Sequence, residues 1–312
     1  MFNILEALKN NLQRPRPLKT ERINTHMPSR AMIYSVLDSK PIGACIRSAY
    51  MDIKQYPSSN PMGIYMKMTT EAGHLWEEWV IDQYKQIGIY ADHSVKLYDP
   101  TKFISGELDI LHYNPLTNEH EVTEVKQYNG SNYSASASLT GSGKNMRPAP
   151  KDPNLLQVFT YLLMLRNTNN TSINFVNLLY IDRSCGSFSN NFQFRISLTE
   201  VNGVVHPLVE YFDNNGDVQK YTDTRITDKA LFEKNSMLDA FVENEILPPR
   251  DYKLKYSDAL IESMYLAKEI STFKYNKWKA DTSLNAFGDW QCTYCKYGPN
   301  LEGFSTCWSV EA

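Results

Sequence analysis

The sequence lacks any apolar run near the ~20 residues that a helix needs to cross a bilayer, and its mean hydropathy is −0.45. We therefore expect no membrane-spanning segment. The first residues, MFNILEALKNNLQRPRPLK, carry charges inside their apolar stretch and show no small-residue cleavage site, so a secretory signal is not expected either. Together these absences predict a soluble protein of the cytoplasm.

An excess of charge of one sign is also lacking. The 312 residues include 32 Lys and Arg against 35 Asp and Glu, a formal net charge of −3, which is far from the basic balance of nucleic-acid coat proteins. An enzyme that gathers carboxylates around a metal can still have a local basic groove, so DNA stays open as a partner. Hydrophobic residues make up 42% and aromatic residues 12%, which excludes disordered, collagenous and coiled-coil chains.

The order of the predicted elements indicates an α/β fold. Helical spacing predicts helices in IGACIRSAYMDI and over 68–88, and apolar alternation predicts the strands HSVKLY, FISGELDILHY and HEVTEVKQY, the last two paired as an antiparallel hairpin. A loop rich in Gly, Ser and Asn over 129–150 precedes the helix LLQVFTYLLMLR, whose expected cap is Asp152 or Asn154. Because this helix is apolar nearly all round, we expect it to be buried.

The strands SINFVNLLYID and NFQFRISL follow, then mostly helical residues over 224–280 and an irregular tail that carries cysteines. The length is about twice that of a typical domain of ~150 residues, which leaves one elaborated domain or two small ones. We expect one elaborated domain over 1–312. Its parts are a helical N-terminal segment (1–40), a core (41–200) and a helical C-terminal part (201–312).

Three polar residues in the predicted hairpin could meet. Asp109 alternates with the apolar Leu108 and Ile110, and Glu124 and Lys126 are two residues apart, so they share one face of the next strand. Two carboxylates a few Å apart repel unless a cation lies between them, and such oxygen ligands suit Mg²⁺ or Mn²⁺. Because these motifs are short and common, three exposed strand residues are the alternative interpretation.

Two further groups lie on the predicted helices. His74 precedes Glu77 and Glu78 at i+3 and i+4, and Gln157 and Tyr161 are one turn apart on an otherwise apolar helix. A surface histidine and a Gln–Tyr pair bonded to local backbone would explain each group equally well.

Taken in chain order, Gly73 and His74, the GELD segment, the EVK segment and the QxxxY pair resemble the PD-(D/E)XK nucleases. The branch they resemble is that of RecB-type nuclease domains and the Cas-four-like exonucleases of CRISPR adaptation, over most of residues 41–198. The resemblance implies a restriction-endonuclease-like core, a mixed central sheet flanked by helices, and hydrolysis of DNA that depends on Mg²⁺ or Mn²⁺. It implies metal ligands at His74, Asp109, Glu124 and the Val125 carbonyl, a catalytic Lys126, and support of the site by Gln157 and Tyr161.

Five cysteines are an odd number, and a reducing compartment disfavours disulfides. Four thiolates suit an iron–sulfur cluster or a structural zinc. The resemblance implies a 4Fe-4S cluster that joins the N- and C-terminal parts, although the last two cysteines are farther apart than is usual in this family, so zinc or plain buried thiols are alternatives. Its implied ligands are Cys45, Cys292, Cys295 and Cys307, and Cys185 is expected to be structural.

The expected substrate is DNA, at ends or in single strands, and the expected protein partners are those of replication, recombination, repair or CRISPR adaptation. In the loop 129–150, Lys144 and Arg147 could clamp a strand, and Tyr128 and Tyr133 could stack on bases. A solvated linker is the alternative for that loop. Two other functions are open: a catalytically idle DNA-end-binding or assembly protein, and a structural protein stapled by zinc.

Overall fold

The computed structural model describes residues 25–128, 138–140, 147–168, 173–184, 191–213, 215–280, 288–299 and 305–309. The chain forms two compact units, and each unit is made from two separate stretches of sequence. Unit 1 consists of Met1–Gly43 and Gly63–Met237, and unit 2 consists of Ala44–Met62 and Leu238–Ala312.

The described elements follow one another in the order β1 Met32–Ser35, β2 Lys40–Gly43, α1 Ile46–Ile53, α2 Ile64–Gln86, β3 Tyr90–Asp99, β4 Ile104–Asn114, β5 Glu119–Tyr128, β6 Ser138–Thr140, β7 Arg147–Ala149, α3 Asp152–Asn167, β8 Val176–Asp182, β9 Phe192–Val201, β10 Val204–Phe212, β11 Val218–Thr222, α4 Asp228–Glu243, α5 Asp258–Leu266, α6 Thr272–Ala280, α7 Trp290–Thr293 and α8 Thr306–Ser309. A 3₁₀ turn covers Pro28–Arg30. None of these helices is both long and apolar enough to cross a membrane.

Unit 1 is built on a seven-stranded sheet with the order β11-β10-β9-β8-β5-β4-β3. Strands β5 and β8 pair in parallel, and the other neighbours pair antiparallel. Two short hairpins, β1 with β2 and β6 with β7, form separate two-stranded sheets. The predicted hairpin of β4 and β5 is confirmed, and β5 lies inside the sheet.

Helices cover both faces of this sheet. Helix α3 is buried throughout 155–165 and packs in one core with Val122 of β5. Helix α2 packs Val80 and Ile81 into a second core with Val125 of β5. Because residues three apart on a strand point to opposite faces, the two helices lie on opposite sides of the sheet. The expected α/β architecture, a mixed sheet flanked by helices, is confirmed.

Two of the predictions on secondary structure are wrong. Helix is expected over 1–40, of which 1–24 lie outside the described residues; in the rest, 32–35 is a strand. The next strand, Lys40–Gly43, covers the start of the run predicted as a helix from Pro41. Pro41 has no N–H to donate, and Ser39 has a φ of 50°, which suits the hairpin turn. The C-terminal part from 201 was expected to be helical, but it begins with β10 and β11. Asn202 and Gly203, with φ of 53° and 71°, form the turn between β9 and β10 and are the Asn-Gly signal for a hairpin.

The expected helix cap is also wrong. Lys151 occupies the cap position of α3 without a side-chain bond, and Asp152 instead pairs with Arg225 at 2.8 Å. Within the predicted loop 129–150, the described residues form the small β6–β7 sheet, whereas Tyr133 and Lys144 lie outside the described part.

Unit 2 joins the segment around α1 to the C-terminal segment. The Asn60 N–H donates to the Lys296 carbonyl at 2.8 Å, and the Ser59 hydroxyl donates to the Gly298 carbonyl at 2.8 Å. The Thr306 N–H in turn donates to the Ser59 hydroxyl at 2.9 Å. Helices α4, α5 and α6 confirm the expectation that 224–280 is mostly helical.

Candidate active site

The candidate site lies where β4 and β5 part. Their antiparallel pairing runs from Asn114 opposite Glu119 to Ile110 opposite Thr123. Beyond this point the Val125 N–H donates to Oδ2 of Asp109 at 2.8 Å, so a carboxylate takes the place of a backbone carbonyl. The N–H and C=O of one strand residue point to the same side, so the Val125 carbonyl also opens toward Asp109.

Glu124 is the most constrained group of the site. Its side chain is 1% exposed, and its Oε1 accepts hydrogen bonds from Lys126 Nζ at 2.5 Å and from Gln157 Nε2 at 2.7 Å. Its Oε2 is buried and has no hydrogen-bond partner among the described residues. A buried carboxylate oxygen without a partner is costly, which makes Oε2 a natural ligand for a cation.

Tyr161 supports this arrangement from α3. Its hydroxyl donates to the Glu107 carbonyl of β4 at 2.8 Å and lies 3.4 Å from Gln157 Nε2. The Tyr161 ring lies so close to Gly106 that a Cβ there would be 2.6 Å from Tyr161 Cε1. Gly106, in the GELD segment, therefore leaves room for the Tyr161 ring, and the Tyr161 hydroxyl lies next to Gln157.

Burial and neighbouring charges shift the pKa of three groups in the site. Burial, followed by the charge of Glu124, raises the pKa of Asp109 well above its ordinary value. Burial acts to lower the pKa of Lys126, but the charges of Glu124 and Asp109 outweigh it and raise that pKa, so the ammonium is charged at neutral pH. Burial also raises the pKa of Tyr161, which keeps its hydroxyl a donor.

The structure does not bring His74 into contact with Asp109 or Glu124 within its described residues. The His74 side chain is 61% exposed, and its Nδ1 lies 3.9 Å from Oε2 of Glu77. Burial raises the pKa of Glu77, and the charge of Glu124 adds to that rise. Glu77 is therefore the α2 carboxylate whose charge interacts with the site, which the sequence analysis named only as a neighbour of His74.

Asp109, Glu124 and Lys126 are thus brought together, with Gln157 and Tyr161 behind them. Over the described ranges, no three His, Cys, Asp or Glu side chains are arranged to hold a metal ion. Two carboxylates and the Val125 carbonyl are the oxygen ligands that this place offers to Mg²⁺ or Mn²⁺.

A second candidate site lies inside unit 2, where four cysteines line one pocket together with Ser48 and Arg250. Their thiols, as they stand in the described part of the chain, are not arranged as a metal-binding group. These cysteines, all in the free thiol form, are Cys45, Cys292, Cys295 and Cys307. Cys185 lies outside the described residues.

Local backbone bonds shape this pocket. The Cys295 N–H donates to the Cys292 carbonyl at 3.3 Å, and the Gly298 N–H donates to the Cys295 carbonyl at 2.9 Å. A Cβ on Gly298 would be 2.5 Å from the Cys292 carbonyl oxygen, so the tight turn requires glycine there. The Cys307 N–H donates to the Tyr297 carbonyl at 2.9 Å, which places the fourth thiol against the same turn.

Burial raises the pKa of three thiols that line this pocket, those of Cys45, Cys292 and Cys307. Burial raises the pKa of Cys292 to about 12, with the charge of Cys45 as the second cause. Burial also raises the pKa of Cys45, and it raises that of Cys307 although a bond from Arg250 acts against the rise. A metal ion would reverse this preference, because it binds thiolates directly.

A scan of the chain against models of protein families finds no match, and a search of curated proteins finds no relative. The functional assignment therefore depends on the geometry of the two candidate sites.

Proposed function

We propose that this chain is a metal-dependent deoxyribonuclease, an exonuclease that acts on DNA ends or single strands. Two observations carry the proposal: β4 and β5 part beside Asp109, and Oε2 of Glu124, whose charge acts on Asp109, is buried without a hydrogen-bond partner among the described residues. A buried glutamate with a partly buried aspartate and lysine beside it, inside a sheet, costs folding free energy unless it serves a cation and an anionic substrate.

The residues of the gap fit a divalent cation. Glu124 Oε2 has no hydrogen-bond partner among the described residues, and burial, followed by the charge of Glu124, raises the pKa of Asp109. A cation between the two carboxylates would stabilise both in their charged form. Asp109, Glu124 and the Val125 carbonyl would hold the ion. A bound Mg²⁺ or Mn²⁺ supplies a water of lowered pKa and stabilises negative charge on a phosphate oxygen.

The protein residues around the gap would do the rest of the work. Lys126 stays positively charged beside Glu124, so its ammonium can orient the attacking water and stabilise the charge that grows on the phosphate. Gln157 holds Oε1 of Glu124 and so fixes the carboxylate, which leaves Oε2 for the cation. Tyr161 fixes α3 to β4 through the Glu107 carbonyl, which keeps Gln157 at its distance.

The cysteine pocket of unit 2 supports the second part of the proposal, a 4Fe-4S cluster, with structural zinc as the alternative. Four free thiols line one partly enclosed pocket, and none is more than half exposed. Four cysteine thiolates are the usual ligand set for both groups. Iron, acid-labile sulfide and zinc, measured in protein purified without oxygen, distinguish the two.

The nuclease proposal is tested with end-labelled linear DNA and Mn²⁺. We expect the unmodified protein to shorten the labelled DNA. We expect both Asp109→Ala and Lys126→Ala to abolish this cleavage. Asp92→Ala and Lys96→Ala are matched controls, because both residues are exposed on the neighbouring strand β3, and we expect them to cleave at the normal rate.

Cleavage by Asp109→Ala or Lys126→Ala at the rate of the controls would remove the proposed site. The main competing function is a DNA-end-binding or assembly protein that keeps the site without using it. That function predicts DNA binding with no cleavage by the unmodified protein at any Mn²⁺ or Mg²⁺ concentration.

A further inference from the structure

Helix α6, Thr272–Ala280, differs from the rest of this acidic chain in its charge. Its nine residues, TFKYNKWKA, include three lysines, three aromatic residues and no carboxylate. The whole sequence, in contrast, has three more acidic than basic residues, 35 against 32. A run of positive charge interleaved with aromatic rings is typical of surfaces that bind nucleic acid.

One face of α6 anchors the helix within unit 2. Tyr275 and Trp278 are each 7% exposed and pack with Ile261 of α5. The Tyr275 ring stacks on Tyr265 with centroids 3.9 Å apart and an interplanar angle of 5°. Lys279 also belongs to this face, since its Nζ lies 5.5 Å from the centre of the Tyr275 ring.

The opposite face of α6 is exposed with respect to the described residues. Phe273 is 78% exposed, and Lys277, four residues later, lies one turn along on the same face. Lys274 is exposed beside them. Neither lysine pairs with a carboxylate anywhere in the described part of the chain, because the ion pairs seen there involve other residues.

We infer that this outer face of α6 binds single-stranded DNA, with Lys274 and Lys277 on phosphates and Phe273 stacked on a base. The choice of DNA rests on the proposed function. An anionic membrane would also attract the lysines, but insertion into its interface needs a broad apolar face. Phe273 is the one aromatic ring that α6 exposes, since Tyr275 and Trp278 are buried.

The test measures binding of the full chain to a labelled oligothymidine over a range of NaCl concentrations, without added divalent cation so that cleavage does not interfere. Each phosphate contact on a single strand adds about 0.7 to the slope of log affinity against log salt. Lys274→Ala with Lys277→Ala should therefore make the slope shallower by about 1.4. If the DNA affinities of the variant and the unmodified protein converge near 1 M salt, the variant should bind about 25-fold more weakly at 0.1 M salt.

The matched control is Lys96→Ala with Lys229→Ala, two exposed lysines of unit 1 whose loss changes the net charge equally. It should keep the original slope. Phe273→Ala should weaken binding by at least about fivefold at every salt concentration without a change of slope, because base stacking is not ionic, and Phe273→Trp should restore it. Circular dichroism of each variant checks that α6 still folds.

An unchanged slope in the Lys274 and Lys277 variant would overturn the inference. The inference would also be overturned if that variant kept its DNA binding but no longer bound vesicles of anionic lipid. That result would assign the outer face of α6 to a membrane. Failure of the nuclease proposal has a different signature, namely DNA that is bound with the expected slopes but never cut when Mn²⁺ is added.

Discussion

Replacing Gly106 by alanine should weaken both the fold and the site through one contact. The new Cβ would lie 2.6 Å from Tyr161 Cε1 and 3.1 Å from Pro28 Cγ. An ordinary carbon–carbon contact needs ~3.5 Å, so the ring or the strand must shift by about 0.9 Å. Overpacking of this kind costs about 1–3 kcal/mol in the free energy of unfolding.

The same shift should reach the chemistry. The Tyr161 hydroxyl is held to the Glu107 carbonyl at 2.8 Å, and a movement near 1 Å would stretch this bond and displace Gln157 from Glu124. Misplacement on that scale can cost about 100-fold in rate. We expect the rate of DNA cleavage with Mn²⁺ to fall about tenfold to 100-fold.

Urea unfolding and the end-label assay measure the two effects on the same preparations. Gly63→Ala is the control, because a Cβ at Gly63 meets no atom within 4 Å. Gly63 is the N-cap of α2, where glycine is preferred to alanine, so we expect this change to cost no more than about 1 kcal/mol and to leave the rate of cleavage unchanged. Tyr161→Leu should relieve the clash with the new Cβ. The double variant Gly106→Ala with Tyr161→Leu should therefore lose less free energy of unfolding than the two single variants lose together. Gly106→Ala with the stability and rate of Gly63→Ala would refute this reasoning.

Three other predictions concern stability, the cofactor and the substrate. Burial opposes ionisation of Glu121, but hydrogen bonds from Asn114, Asn177 and Arg195 outweigh burial and lower its pKa in the folded protein. The ionised Glu121 therefore stabilises the fold above its unfolded-state pKa, and this stabilisation is lost as the pH falls through its folded-state pKa. Glu121→Gln should lower the free energy of unfolding at pH 7 by about 1.5–3 kcal/mol and flatten its decline below pH 5, as urea titrations at several pH values would show. Cys45→Ala should lose the iron and sulfide found by chemical analysis, whereas Cys185→Ala should retain both, and equal metal content in the two would exclude Cys45 as a ligand. With Mg²⁺ or Mn²⁺, linear DNA should disappear from gels while closed circular duplex of the same sequence persists, and discrete fragments from the circle would instead indicate a sequence-specific endonuclease.

The core of the candidate site could be predicted from sequence because its geometry is local. Asp109 alternates with apolar neighbours on one strand, and Glu124 and Lys126 are two residues apart on the next, so pairing of two adjacent strands is enough to bring them together. The buried helix that carries Gln157 was equally clear from its composition. The family resemblance stays a prediction.

The rest of the site could not be predicted because it depends on packing between distant elements. The charge of Glu124 raises the pKa of Glu77 only because α2 packs on the sheet near β5. Oε2 of Glu124 is buried without a hydrogen-bond partner among the described residues, which depends on the packing around it and cannot be seen in a local sequence pattern. The β9–β10 hairpin is a different case, since its Asn202-Gly203 turn was visible in the sequence and was overlooked.

Unit 2 is made of two separate stretches of sequence, so its two parts leave the ribosome at different times. Cys45 and Cys307 are 262 residues apart in the chain (307 minus 45), and a ribosome that adds ~5–20 residues per second separates their emergence by roughly 13–52 s. The stretch Gly63–Met237 of unit 1 is made in that interval. Helix α1 must therefore wait for its partner segment, and the cysteine pocket can be completed only after Cys307 has left the ribosome.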